Sequence, residues 1–304
     1  PGSTFKPVTV ASALEEGVVK DGDTYVCKGF ETVADYKLKC HVFSTIGSHG
    51  SLTVEQALMN SCNPYMIHLA LEMGNSRFAY YQSLFGFGKI TGIDLPGETT
   101  GIVYGDRMTT IDAACNSFGQ TINVNMMQMM AAYCSIINGG MLYQPHIVKR
   151  IESANGEVVK EYKANLVRQT ITASTSKLLR RYLKNTVEEG TAKKAGVTGY
   201  SVAGKTGTAQ KGDRKDNKWI ISFIGHAPAE NPKFAIYVVI DEPYGTTGTS
   251  GSSADVLTLT HNILEKLLPY MNVYKDASDE YEDTSSSPDE LTVDGIPAGT
   301  ASSN

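Results

Sequence analysis

Apolar residues recur at helical spacing through most of the chain and shift to strand-like runs only in its last third. Thr4 to Glu16 reads as a helix, with Ser3 as its N-cap and Gly17 as its stop. Pro7 is tolerated there because first-turn amides have no intrahelical partner. Residues 18–51 mix Gly, Asp, Thr and Lys with scattered aromatics, which predicts loops and short extended pieces. A helical period restarts at Thr53 to Met59, capped by Thr53, and resumes at Pro64 to Met73 after the small polar run Asn60-Ser61-Cys62-Asn63. Asp112 to Ala114 and Val124 to Ile137 predict buried helix, and Thr175 to Glu188 is the most regular amphipathic stretch. Ser201 to Gln210, Trp219 to His226 and Phe234 to Glu242 then read as three strands, whose short connections predict an antiparallel meander. A closing helix covers Asp255 to Leu268, and the Ser, Asp, Glu and Thr content beyond Pro269 predicts disorder.

Composition adds a boundary to this picture. The chain has 304 residues, 41% hydrophobic and 19% charged, so there is ample material for a core and a wholly disordered protein is excluded. The net charge of -5 is unevenly placed. From Lys275 onward eight acids stand against one base, a local -7, which leaves +2 for residues 1–274. That near-neutral balance excludes nucleic-acid binding through a basic surface. No apolar run reaches the roughly 18 residues needed to cross a bilayer, since Met126 to Ile137 is broken by Gln128 and Ser135. The five cysteines form no Cys-x-x-Cys pair and the six histidines no His-Glu-x-x-His, so neither a metal site nor a cofactor is expected.

Three short patterns carry candidate chemistry: Ser3-Thr4-Phe5-Lys6, Ser61-Cys62-Asn63 and Lys205-Thr206-Gly207-Thr208. Each is weak alone, because Ser-x-x-Lys recurs at Ser174 to Lys177 and Ser-x-Asn at Ser302 to Asn304. Their order and their placement at a helix start, a helix junction and a strand raise the signal. Ser3 and Lys6 share a helix face, so the amine reaches the hydroxyl and serves as the base that a serine nucleophile needs. The helix N-terminus and burial both disfavour the ammonium of Lys6. Ser61 supplies a hydroxyl able to relay a proton, and Asn63 an amide able to hold a peptide bond. Lys205 brings a cation, Thr206 and Thr208 bring hydroxyls for a carboxylate, and Gly207 lets substrate backbone lie close to the strand. The plain structural alternatives are an N-cap serine beside a surface lysine, a polar helix-junction cap and a strand that bends at glycine.

Taken in order, these motifs resemble those of penicillin-binding proteins and serine β-lactamases. The flanking segments Pro1 to Pro7, LMNSCNP (58–64), GIDLPGE (92–98), SFGQ (117–120), VAGKTGTAQ (202–210) and SFIGHAPAENPKFAIYVVIDEP (222–243) narrow the resemblance to class B penicillin-binding proteins, from residue 1 to about residue 272. The resemblance implies an α+β penicillin-binding-protein/β-lactamase-like fold, a mainly antiparallel five-stranded sheet between helical layers. Its first two strands are expected from sequence before Pro1, so residues 1–272 stand as an N-terminally truncated transpeptidase domain and 273–304 as an acidic tail. Alone, the chain is expected to be poorly soluble or inactive.

The implied activity is that of a peptidoglycan D,D-transpeptidase at the outer face of the cytoplasmic membrane. Ser3 would be acylated by a D-Ala-D-Ala donor with Lys6 as base, Ser61 would pass the proton on with support from Lys205, and Asn63 would hold the stem peptide. Thr206 and Thr208 would bind the donor carboxylate beside Gly207, and the Ser3 and Thr208 amides would form the oxyanion hole. Stem peptides, β-lactams as covalent inhibitors and a glycosyltransferase partner follow from the same resemblance, and no nucleic acid does. A β-lactamase-like hydrolase and a non-catalytic β-lactam sensor or divisome scaffold stand as alternatives. Thr121 and Asn125-Met126-Met127 depart from the family pattern and imply altered packing near the cleft. Cys27 and Cys40 are candidates for a disulfide, with Cys62 packed beneath its motif.

Overall fold

The structure, a computed structural model, describes residues 1–212, 218–243 and 252–276. It begins with a 3-10 turn, Gly2–Phe5, that runs into α1 (Lys6–Glu16). Ser3 therefore lies inside the turn rather than capping the helix. The cause is Pro7: it has no N–H to give the Ser3 carbonyl, so the Lys6 N–H donates there instead and the chain tightens to an i to i+3 pattern. Gly17 ends α1 as expected, at φ 76, where a side chain would be strained.

Residues 18–53 hold more order than expected. Strands β1 (Thr24–Cys27), β2 (Phe30–Val33), β3 (Tyr36–Lys39) and β4 (Gly50–Thr53) form two small antiparallel pairs, β2 with β3 and β1 with β4, the latter placing Cys27 opposite Gly50. Thr53 caps α2 (Val54–Met59) through a reciprocal box with Gln56. Helices α3 (Asn63–Met73), α4 (Asn75–Leu84), α5 (Thr110–Asn116) and α6 (Met126–Ile137) follow. Next come β5 (Met141–Gln144), β6 (Arg150–Glu152), β7 (Val158–Glu161) and β8 (Asn165–Gln169), paired β5 with β8 and β6 with β7, and then α7 (Ala173–Glu188).

The expected meander is present as β9 (Ala203–Lys211), β10 (Lys218–Ala227) and β11 (Phe234–Asp241), an antiparallel sheet in the order β11-β10-β9. Alternation along β10 sends Ile224 into the larger apolar core, shared with α1, α3, α6 and α7, and Ile221 and Phe223 into a second core beneath α8 (Ala254–Tyr270). The sheet is thus a layer between helices, and β9 is one of its two edges. After α8 the chain stays packed: Val273 is buried and the Asp276 N–H donates to the Gly199 carbonyl at 2.8 Å. The acidic residues from 279 onward lie outside the described residues. No described helix is long and apolar enough to cross a membrane.

Candidate active site

Ser3, Ser61, Asn63, Thr206 and Thr208, drawn from three motifs spread over two hundred positions, line one cleft of about 450 Å³. Lys6 and Lys205 stand behind its wall, both wholly buried. The site forms because the 3-10 turn and α1 lie between the α2–α3 junction on one side and the β9 edge on the other.

Lys6 is the hub. Its Nζ donates to the Ser61 carbonyl at 2.6 Å, to Ser61 Oγ at 3.0 Å and to Asn63 Oδ1 at 2.7 Å, so the first motif is fastened directly to the second. The Ser3 side chain, half-buried at the cleft, takes no hydrogen-bond partner among the described residues. Lys6 thus bonds to Ser61 and Asn63, while the 3-10 turn keeps Ser3 and Lys6, three residues apart, on one face. Burial brings Lys6 down to about 8, opposed by its neighbours Cys62 and Cys40.

Ser61 has the left-handed φ of 55, rare for a residue with a side chain. The junction over-determines it: the Ser61 N–H donates to the Leu58 carbonyl at 3.1 Å and the Cys62 N–H to that of Ala57 at 2.8 Å. His41 supports the turn from the cleft side, its Nε2 donating to the Asn60 carbonyl at 2.9 Å. Together these aim both the hydroxyl and the carbonyl of Ser61 at Lys6.

On β9, Lys205 Nζ donates to the carbonyl and Oγ1 of Thr206 at 3.2 and 3.3 Å, and Thr206 Oγ1 donates to Thr191 Oγ1 at 3.3 Å. Burial, and then the charge of Lys6, hold the Lys205 amine well below its ordinary range. Gly207 also has a packing use. A Cβ there would overlap Ser222 Oγ and come within 2.8 Å of Thr4 Cγ2 and 3.0 Å of the Pro1 carbonyl, so the glycine makes room for the turn that carries Ser3. Gly2 presses on the strand in the same way, with 2.6 Å between a built Cβ and the Thr208 carbonyl, and its N–H donates to the Gly119 carbonyl at 3.0 Å. Gly207→Ala is expected to cost about 1–3 kcal/mol by overpacking and to slow acylation of Ser3. Thermal melting together with the rate of covalent penicillin capture checks both effects.

Several residues of the site were not singled out in the sequence. His41, Thr191 and Trp219 line the cleft beside Phe118 and Gln120 of the SFGQ run. Thr121, one of the departures from the family pattern, keeps the left-handed φ of 61 that suits glycine, steadied by the Asn116 Nδ2 donating to its Oγ1 at 2.9 Å. The cysteines also depart from expectation. Cys27 and Cys40 are free thiols, not a disulfide, and they converge with buried Cys62 and with His49 so that four ligand-type atoms lie within 4.8 Å of one another. The fold thus gathers four residues of metal-ligand type that the sequence spacing keeps apart.

Comparisons with known proteins agree with this geometry. Residues 1–265 match the family described as penicillin binding protein transpeptidase domain. Stage V sporulation protein D of Bacillus subtilis is 40% identical over 279 residues, 90% of this chain and 42% of that protein. Peptidoglycan D,D-transpeptidase FtsI of Escherichia coli is 32% identical over 283 residues, 91% of this chain and 45% of that protein. Among solved structures, penicillin binding protein 3 from Mycobacterium tuberculosis complexed with aztreonam superposes with a TM-score of 0.81 at 29% identity, over 90% of this chain and 63% of that one. The chain spans less than half the length of these two curated relatives. With the family match covering most of its length and the three motifs meeting in one cleft, the chain belongs to the penicillin-binding protein transpeptidase family.

Proposed function

We propose that the protein is a peptidoglycan D,D-transpeptidase working through a serine acyl-enzyme, with Ser3, Lys6, Ser61 and Lys205 as its catalytic groups and Asn63, Thr206, Gly207 and Thr208 as its substrate-binding segment. The observation that carries this reading is the buried Lys6 amine joining Ser61 and Asn63 behind a cleft that also exposes Ser3.

In the proposed cycle neutral Lys6 takes the Ser3 hydroxyl proton as Oγ attacks the penultimate D-Ala carbonyl of a stem peptide. The tetrahedral oxyanion is held by the amides of Ser3 and Thr208, each such donor being worth about 10²- to 10³-fold in rate. Collapse breaks the peptide bond, and the proton passes through Ser61 to the departing D-Ala amine. Lys205 supports that relay from behind the cleft wall, held on Thr206, while Asn63 holds the peptide and Thr206 and Thr208 hold the terminal carboxylate beside Gly207. An acceptor amine then attacks the ester, forms the crosslink and returns the proton to Ser3. A β-lactam enters the same cycle and stops at the ester. Residues 1–272 would form the catalytic unit at the outer face of the cytoplasmic membrane, alongside a glycosyltransferase that supplies glycan strands, and the acidic stretch after them would lie outside it.

The β-lactamase alternative needs a carboxylate placed to activate water against the ester. Among the described residues that line the cleft there is no Asp or Glu, which favours transfer to an amine over hydrolysis. Full-length protein given labelled penicillin is expected to keep a long-lived one-to-one adduct. Given a D-Ala-D-Ala stem peptide and an amine acceptor, it is expected to release D-Ala and form the crosslinked product. Rapid turnover of penicillin would favour the hydrolase, and binding without any ester would favour the sensor.

A further inference from the structure

The geometry points to a structural metal site formed by Cys27, Cys40, Cys62 and His49, taking a tetrahedral, thiophilic divalent cation of zinc's class. Four chain segments supply the ligands: the end of β1, the residue after β3, the residue before β4 and the α2–α3 junction. The antiparallel pairing of β1 with β4 sets Cys27 opposite Gly50 and so brings His49 alongside it. His49 Nδ1 lies 3.5 Å from Cys40 Sγ and 3.8 Å from Cys27 Sγ, and all four atoms fall within 4.8 Å. Tetrahedral zinc with Zn–S near 2.3 Å and Zn–N near 2.0 Å separates sulfur from nitrogen by about 3.6 Å and sulfur from sulfur by about 3.8 Å. The two sulfur–nitrogen distances bracket the first value, and the sulfurs lie within 4.8 Å of one another.

Three further observations favour a metal over plain packing. All three sulfurs are buried, and none is joined to another. A disulfide between any two would leave the third over and give the histidine no part, whereas a Cys3His set uses all four groups. A backbone amide also supports the set, the Gly29 N–H donating to Cys27 Sγ at 3.4 Å. An N–H donor of this kind belongs to the supporting shell of a metal ligand.

The consequence lies next to the chemistry and rests on the function proposed above. Cys62 stands between Ser61 and Asn63, and the ring of His49 lies 5.4 Å from that of His41 in the cleft wall. The ion would hold the Ser-x-Asn turn against Lys6, as a clamp that never touches substrate.

Full-length protein is equilibrated with zinc(II), passed through a desalting column and weighed by native mass spectrometry. About one tightly held ion per chain is expected, with a loss of at least about tenfold in occupancy for Cys27→Ser and for His49→Asn and none for Cys115→Ser. Cobalt(II) in place of zinc should give thiolate-to-metal charge-transfer and tetrahedral d–d bands, a readout that needs no variant. A wild-type protein that holds no ion, an ion that survives both ligand substitutions, or a disulfide found within the trio would overturn the site. Penicillin labelling of the same samples separates the two proposals. An occupied site with no Ser3 ester removes the transpeptidase reading alone, and Ser3 acylation at an unchanged rate after metal removal removes the clamp role alone.

Discussion

Ser3→Ala is expected to abolish covalent penicillin capture and peptide crosslinking, with a fall on the order of 10⁶-fold, the scale seen when the nucleophile of an acyl-transfer enzyme is removed. The substitution suits the test because the Ser3 side chain takes no hydrogen-bond partner among the described residues and is only half-buried. Neither a cap nor a packing contact is lost with the hydroxyl, so melting temperature should not change. Reversible binding of a β-lactam should survive, since Asn63, Thr206 and Thr208 remain in the cleft. Intact-mass measurement after penicillin treatment decides the matter: an adduct on the Ser3→Ala protein would place the nucleophile elsewhere.

Lys6→Met is expected to cost about 10²- to 10⁴-fold in acylation rate, the usual worth of a general base, and to lower stability as well. The near-isosteric thioether fills the same space but leaves three acceptors, the Ser61 carbonyl, Ser61 Oγ and Asn63 Oδ1, without their donor. Each buried acceptor so abandoned costs about 1–3 kcal/mol unless water enters. The wild-type pH profile provides an independent check. The neutral amine is the active form and burial sets Lys6 to about 8, so acylation should rise as pH increases through that value and level off above it. A rate that does not vary from about pH 6 to about pH 9, roughly one unit or more either side of that titration, would remove Lys6 as the base.

Much of the site was legible in the sequence because polar residues sat where secondary structure alone had no use for them. Lys205-Thr206-Gly207-Thr208 lies in a run that alternates like a buried strand, and β9 indeed buries Lys205 completely. The long amphipathic α7 was equally plain, its apolar positions recurring at full helical period. Helix α4 was not, because NSRFAYYQSL spreads aromatic and polar residues round the whole circumference and shows no stripe. Strands β6 and β7 are exposed along their length, so nothing selects an alternating pattern and none was visible. The bonds of Lys6 to Ser61 and Asn63 were not legible, because they join residues 55 and 57 positions apart and depend on how α1 packs against the α2–α3 junction. The sulfur cluster was hidden by its spacing, since separations of 13, 9 and 13 residues become neighbours only once β1 pairs with β4 and the end of β3 and the α2–α3 junction close on them.

The turn that carries Ser3 is seated by main chain rather than by interchangeable side chains. Gly2 presses on the Thr208 carbonyl and bonds to the Gly119 carbonyl, and Gly207 opens the space beneath Thr4. Mutational freedom is therefore unequal round the cleft. Change in the seat moves the nucleophile itself, whereas a rim side chain such as that of Gln120 faces the cleft without holding Ser3. Drift in inhibitor sensitivity can accumulate on that rim while the reacting oxygen keeps its place, and a compound that draws its affinity from the seat gives such drift little to act on.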